Sequence, residues 1–249
     1  MKTALKSVGS ILFFLLLVVA PVITGSGKSS AHTLSSATSS NSSNTTTTVS
    51  ENKALVLYDS MKLNRYGLTK SAFEYAWKGY QYLLSKRILN RSSVLSICDF
   101  SQSSRRKRLF VIDVAQHKVL VNTYVAHGRN SGSEYARSFS NNPESHKSSL
   151  GFYITKNTYY GDHGLALKIE GLEKGFNDKA DERNIVVHGS KYVGSDYLKS
   201  NRFNGRSFGC PAIPAAQTSK VIENIKNGSC LFIYYPTKTY LTKSKILNG

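Results

Sequence analysis

Residues 185–214 read IVVHGSKYVGSDYLKSNRFNGRSFGCPAIP, and they gather an imidazole, a thiol and several glycines in one short span. Ile185-Val186-Val187 is an apolar run that ends at His188 and is stopped at once by Gly189. That is the pattern of a buried strand whose last residue turns out of a sheet. Cys210 sits in Arg206-Ser207-Phe208-Gly209-Cys210-Pro211, which is neither strand nor helix by pattern. Glycines precede the thiol, and the following proline removes a donor and fixes its own φ, so this is a shaped loop. A thiol and an imidazole presented from strand ends and loops are the parts of nucleophilic acyl transfer: the base draws the thiol proton and the thiolate attacks a carbonyl.

Outward from this span the chain reads as mainly β. Val94–Phe100, Leu109–Val114, Lys118–Ala126, Leu150–Thr155, Leu165–Ile169, Ile185–His188 and Cys230–Tyr235 have the β-branched and aromatic enrichment of strands, with Gln116-His117 at a tight turn. Many short strands with few helices point to a mostly antiparallel barrel or sandwich. Residues 55–91 form a helical cap: Phe73, Ala76, Trp77, Tyr80, Leu83, Leu84 and Ile88 recur at helical spacing, and Ser71 with Glu74 has capping-box spacing. Aromatics at helical period are core rather than a carbohydrate platform. One C-terminal helix is expected over Thr218–Asn227, stopped by Gly228. The catalytic domain then spans residues 92–249.

The N-terminus addresses the compartment. Lys2 and Lys6 precede the apolar run Ile11–Ile23, which Pro21 breaks and which falls short of the ~20 residues of a membrane span. Residues 1–31 read as a secretory signal peptide, with Ser29-Ser30-Ala31 ahead of a cut at His32; an uncleaved anchor is the alternative, and export holds in both. Residues 32–54 form a disordered Ser/Thr/Asn linker. Net charge is +18, from Lys+Arg 33 against Asp+Glu 15. Anionic envelope polymers, acidic membranes and nucleic acid all suit that charge. The densest cluster, Arg105-Arg106-Lys107-Arg108, reads as a solvated turn and lacks the aromatic platform of a single-strand binder. Three cysteines leave at least one thiol unpaired. Cys98 and Cys230 lie in strand-like runs, either as buried apolar residues or paired with each other, whereas Cys210 has no packing reason to be in its loop.

His188-Gly189 followed by Ser207-Phe208-Gly209-Cys210 resembles the His-Gly and Ser-x-Gly-Cys signature of the L,D-transpeptidase (YkuD-like) catalytic domain. Val125-Ala126-His127-Gly128-Arg129-Asn130-Ser131-Gly132, Ser148-Ser149-Leu150-Gly151-Phe152-Tyr153 and Gly171-Leu172-Glu173 are similar to the murein L,D-transpeptidase branch, over about Leu55 to Tyr235. The resemblance implies a β-rich fold and an exported enzyme of the periplasm or cell wall. Its partners would be peptidoglycan stem peptides, with no cofactor and no metal. It implies Cys210 as nucleophile and His188 as general base, with the Gly209 and Cys210 amides as oxyanion donors. Candidate substrate-binding positions are Arg206, Ser207, His127, Gly189 and Ser190. A backbone carbonyl or Ser190 would orient His188. Where many members of the wider family have a His before the Gly-Cys pair and an Arg two residues after it, this chain has Phe208 and Ala212.

Three outcomes stay open at this level: transfer of the acyl group to an amine, its transfer to water by an L,D-carboxypeptidase, and a non-catalytic basic envelope-binding protein. Nucleic acid is not an expected partner, and a membrane only through an uncleaved N-terminal segment. His146, His163 and His188 match no compact metal motif.

Overall fold

The computed structural model describes residues 53–162 and 164–249. The expected signal peptide, all but the last two residues of the expected linker, and His163 lie outside the described residues. The strands are β1 (Val94–Asp99), β2 (Leu109–Asp113), β3 (Lys118–Thr123), β4 (Gly151–Gly161), β5 (Gly164–Gly171), β6 (Val186–Ser190), β7 (Ala212–Pro214) and β8 (Cys230–Tyr234). They form one sheet in the order β3-β2-β1-β8-β4-β5-β6-β7. Pairing is antiparallel except at β1–β8 and β6–β7. Just past β3, Ala126 makes an isolated antiparallel bridge to Ala212 of β7, and Gly128 a parallel one to Ser207. The two edges of the sheet therefore approach each other, and the architecture is a barrel that stops short of closure.

Seven expected strands are present. β7 was not anticipated, since three residues bounded by prolines carry no periodicity. β1 and β8 are buried along their whole length, as strands covered on both faces must be. Cys98 and Cys230 do not meet: Cys230 pairs with Leu95 and Cys98 with Ile233 across the β1–β8 ladder. Both are free, buried thiols, and burial pushes Cys98 up to about 12.

The expected helical stretch is divided. Residues 53–60 form α1, a 3-10 turn spans Leu63–Tyr66, and α2 runs from Lys70 to Ser85. Lys62 (φ 52°) and Gly67 (φ 83°) are left-handed and separate the pieces. Thr69 caps α2, its hydroxyl accepting the Ala72 N–H at 3.4 Å, in place of the expected Ser71–Glu74 box. The Phe73–Ala76–Trp77–Tyr80–Leu83 face is buried as expected. Gly79 lies on it because any Cβ there would stand 2.0 Å from the Phe152 ring. Tyr75 stacks on Tyr234 at 5.9 Å between ring centroids, so α2 lies on β4 and β8.

Beyond β6 come α3 (Ser195–Ser200) and α4 (Thr218–Ile225); α4 buries Val221, Ile222 and Ile225 as expected and is stopped by Asn227 and Gly228, both at positive φ. Two short helices, α5 (Lys238–Lys243) and α6 (Lys245–Asn248), follow β8 where the sequence suggested none. Glu173 ties them to the sheet. Its carboxylate accepts the Phe152 N–H at 2.8 Å, the Tyr240 hydroxyl at 2.7 Å and the Ser244 hydroxyl. Burial pushes this carboxyl above its ordinary range, and its donors pull the other way. Glu173→Gln keeps the volume but removes one acceptor oxygen. It is expected to lower stability in urea unfolding by about 1–3 kcal/mol.

Candidate active site

β6 delivers His188 in register with Ala212 of β7. Cys210 precedes Ala212 by two residues, so its sulfur lies beside the start of β6. The Val186 N–H points to Sγ at 3.4 Å, and Sγ lies 3.6 Å from the Asn184 carbonyl. Val186 and His188 project from the same face of β6, about 7 Å apart along the strand. Cys210 and His188 line a single cleft of ≈ 430 Å³, together with Tyr159, Arg183, Tyr192 and Phe208 among others.

His188 is buried, and its Nδ1 lies 3.0 Å from the Gly189 carbonyl. A carbonyl only accepts, so Nδ1 carries a proton, and in the neutral form of the ring the lone pair is then on Nε2. The backbone carbonyl among the expected orienting groups is thus in place, while the Ser190 hydroxyl accepts the Tyr192 N–H at 3.2 Å. Gly189 and Ser190 line a separate pocket with Lys191 and Thr218.

The Cys210 loop is held by its own polar groups. Ser207 Oγ accepts the Gly209 N–H at 3.1 Å and donates to the Cys210 carbonyl at 2.6 Å. Ser148 Oγ donates to the Gly209 carbonyl at 3.3 Å. The Gly209 amide is therefore engaged inside the loop and not aimed at a ligand; the Cys210 amide lies beside its own sulfur. Gly209 has φ +131°, and a Cβ there would stand 2.9 Å from both Ile185 Cδ1 and the Lys147 carbonyl. No other residue fits this position without displacing the loop.

The thiol is half-buried. Burial pushes its pKa up, while the Val186 N–H, the Arg183 guanidinium and its own amide pull it down. Arg183 donates to the Ser140 and Lys147 carbonyls and to the Ser145 and Ser149 hydroxyls. Its hydrogen-bond acceptors are thus neutral; burial lowers its pKa, while the nearby Tyr153, Cys210 and Glu144 groups pull the other way.

His127 is not in the cleft. It is 1% exposed, accepts from Arg108 Nη2 at 2.7 Å through Nδ1, and meets the edge of Phe100. Burial and then the Arg108 charge pull its pKa down to about 3. Arg108 itself departs from the solvated turn expected of its cluster: Arg105, Arg106 and Lys107 are exposed, but Arg108 is fully buried, donating to the Val125 and Gln102 carbonyls. Arg206 does reach the cleft, anchored on the Arg129 and Gly132 carbonyls.

Sequence reasoning missed Arg183, Tyr159 and Tyr192, and weighed His146 only as a metal ligand. His146 lines the cleft, its ring 4.6 Å from that of Phe208, with Nδ1 3.1 Å from Arg129 Nη2 and Nε2 3.6 Å from Glu144. Among the described residues no group of three or more His, Cys, Asp or Glu side chains is arranged to hold a metal.

A family model described as the L,D-transpeptidase catalytic domain matches residues 64–234. The chain belongs to that family. Solved structures similar to this L,D-transpeptidase domain include an L,D-transpeptidase from Mycobacterium smegmatis, at 12% identity and TM-score 0.36, covering 57% of this chain and 59% of that one. The helical cell shape determining protein Pgp2 from Campylobacter jejuni is similar at 15% identity and TM-score 0.34, over 64% and 56% of the two chains. Bd1075 from Bdellovibrio bacteriovorus is similar at 15% identity and TM-score 0.37, over 61% and 54%. The chain thus spans less than two thirds of each of these proteins. No curated protein matches it. Among the described residues no helix is long and apolar enough to cross a membrane.

Two outcomes test this geometry. Because the folded-state value of His127 lies below its unfolded one, unfolding takes up a proton between pH ~6.5 and ~3. Stability is therefore full above pH ~6.5 and falls by about 2 kcal/mol from pH 7 to pH 5; unfolding midpoints across that range, with His127→Gln flattening the dependence, check it. For Arg183, iodoacetamide alkylation of Cys210 at fixed pH is expected to slow in Arg183→Gln and recover in part in Arg183→Lys.

Proposed function

We propose that the protein is an exported peptidoglycan L,D-transpeptidase that works through a Cys210 thioester on stem tetrapeptides. The observation that carries this reading is that Cys210 and His188 line one cleft within a chain of the L,D-transpeptidase catalytic family. The apolar N-terminal run and the basic charge favour export to an anionic wall.

The resting sulfur is a thiol, since burial raises its pKa, so the base acts when substrate is present. His188 Nε2 takes the thiol proton as sulfur attacks the carbonyl carbon of the bond between the third residue and the terminal D-alanine. The resulting oxyanion lies nearest the Cys210 amide, with Arg183 supplying positive potential close by. Collapse breaks the C–N bond; His188 returns the proton to the departing D-alanine amine and a thioester remains. An amine of a second stem peptide then gives its proton to His188, attacks the thioester carbonyl and expels the thiolate, which recovers the proton. The Gly189 carbonyl holds the imidazole in the tautomer that both halves require.

Incubation with tetrapeptide muropeptides followed by intact-protein and product mass spectrometry tests the reading. The native protein is expected to show an acyl adduct and crosslinked product, Cys210→Ala neither, and His188→Ala a rate lower by about 10²–10⁴. An adduct that persists in Cys210→Ala overturns the nucleophile. Hydrolysed product alone, even with acceptor peptide in excess, makes the enzyme a carboxypeptidase.

A further inference from the structure

A second groove adjoins the catalytic cleft. It has a volume of ≈ 520 Å³ and shares Tyr192, Arg206 and Phe208 with the cleft, so that these side chains form a common wall. Its other walls carry Arg129, Arg202, Tyr197 and Phe203, and no carboxylate among the described residues lines it. Arg129, Arg202 and Arg206 are all exposed, and none forms an ion pair among the described residues. Asp196, the acid nearest Arg202 in sequence, is paired with Lys199 at 2.7 Å.

This groove is built, not incidental to a floppy loop. Asn204 is fully buried beneath it, accepting the Gly194 N–H at 2.8 Å and donating to the Ser104 carbonyl. Arg105 donates to the Arg202 carbonyl from the neighbouring turn. Phe208, 63% exposed, is held upright between the two hollows by the Arg129 guanidinium 4.7 Å from its ring centre and by the His146 ring. An exposed aromatic fixed in this way separates two ligands as a partition would.

We infer that the Arg129–Arg202–Arg206 groove binds the acceptor of the transfer reaction, a carboxylate-bearing stem peptide whose amine reaches over Phe208 to the thioester on Cys210. This rests on the transpeptidase reading of the site. Three guanidinium groups without an ion-pair partner among the described residues, and two tyrosines, match a peptide with free carboxylates, to which guanidinium forks bind bidentately. Water needs no such groove, so its occupancy decides between crosslinking and hydrolysis.

The probe is a stem tripeptide, which lacks the D-alanine leaving group and cannot acylate Cys210. Titrated into the native protein, it is expected to bind with an affinity that falls as salt rises. Binding should weaken about tenfold in Arg202→Glu, with Arg202→Lys close to native, and a carboxamide version of the peptide should lose a similar factor. Arg202 is exposed, so the substitution does not threaten the fold. A dissociation constant within twofold of native in Arg202→Glu overturns the groove. In turnover with tetrapeptide donor and tripeptide acceptor, the ratio of crosslinked to hydrolysed product should fall in Arg202→Glu; both products arise from one acyl-enzyme, so the ratio reads the acceptor step alone, and an unchanged ratio overturns the assignment. If the native protein forms no acyl-enzyme, the transpeptidase reading fails, while the titration still decides whether the groove binds the peptide.

Discussion

The parallel pairing of β6 with the three-residue β7 is the constraint on which the site depends. Parallel neighbours cannot be joined by a tight turn, so the chain must leave the sheet after Ser190 and return at Ala212. Residues 191–211 make that crossover, and they carry Tyr192, Tyr197, Arg202, Arg206, Phe208 and Cys210. Register then does the rest: with His188 opposite Ala212, the sulfur two residues earlier comes to lie over Val186. One strand pairing thus fixes the imidazole, the thiol and the crossover side chains beside them, while Tyr159, Arg183 and His146 arrive from elsewhere in the chain. The bridge from Ala126 to Ala212 pins β7 from its other side, so near-closure of the barrel is what holds a strand too short to be stable by itself.

Two arginines stabilise this corner by an unusual route. Arg108 and Arg183 each occupy their guanidinium groups with carbonyl and hydroxyl oxygens and take no carboxylate. A cation satisfied by neutral acceptors keeps more of its field than one held in an ion pair; Arg108 is buried and Arg183 half-buried. Burial, and then the Arg108 charge, favour neutral His127 behind the Ser207 turn; the His127 carbonyl in turn accepts the Ser207 N–H at 3.0 Å. Arg183 clamps the chain from Ser140 to Ser149 beneath Gly209, so removing it changes both the shape and the potential at the sulfur. The basic composition is therefore partly structural, and only the exposed remainder faces a partner.

Much of the frame was legible from sequence because it follows periodicity. The largely apolar runs of β1 and β8 declare buried strands, and the glycines around Cys210 declare a shaped loop. What failed to show has physical reasons. β7 is three residues, preceded by Pro211 and ending on Pro214, and its strand character comes from its neighbours. The split between α1 and α2 depends on left-handed Lys62, a conformation that no side-chain pattern announces. Arg108 and Arg105 look alike in a basic run, yet one is buried and the other exposed, because burial was decided by where β2 begins. His127 and His188 share the same local pattern, an apolar run closed by glycine, and only the sheet order separates the one behind the loop from the one in the cleft. The loop holding Glu144 and His146 joins the site through Arg183, a contact far apart in sequence.

On the proposed reading of an exported cysteine enzyme with His188 as its base, a raised thiol pKa has a use. A preformed thiolate outside the cytoplasm would be the first group oxidised. Burial keeps Cys210 protonated at rest, and the cost is that each acylation must begin with proton transfer. The Gly189 carbonyl meets that demand by holding the His188 tautomer before substrate arrives, and Arg183 lowers the work of charging the sulfur without pairing with it. Substrate entry should help further, since a peptide filling the cleft excludes water and strengthens the field of Arg183 at the moment the thiolate forms. On this view the enzyme's reactivity resides in the complex, and the free protein is protected by the same burial that makes its nucleophile weak.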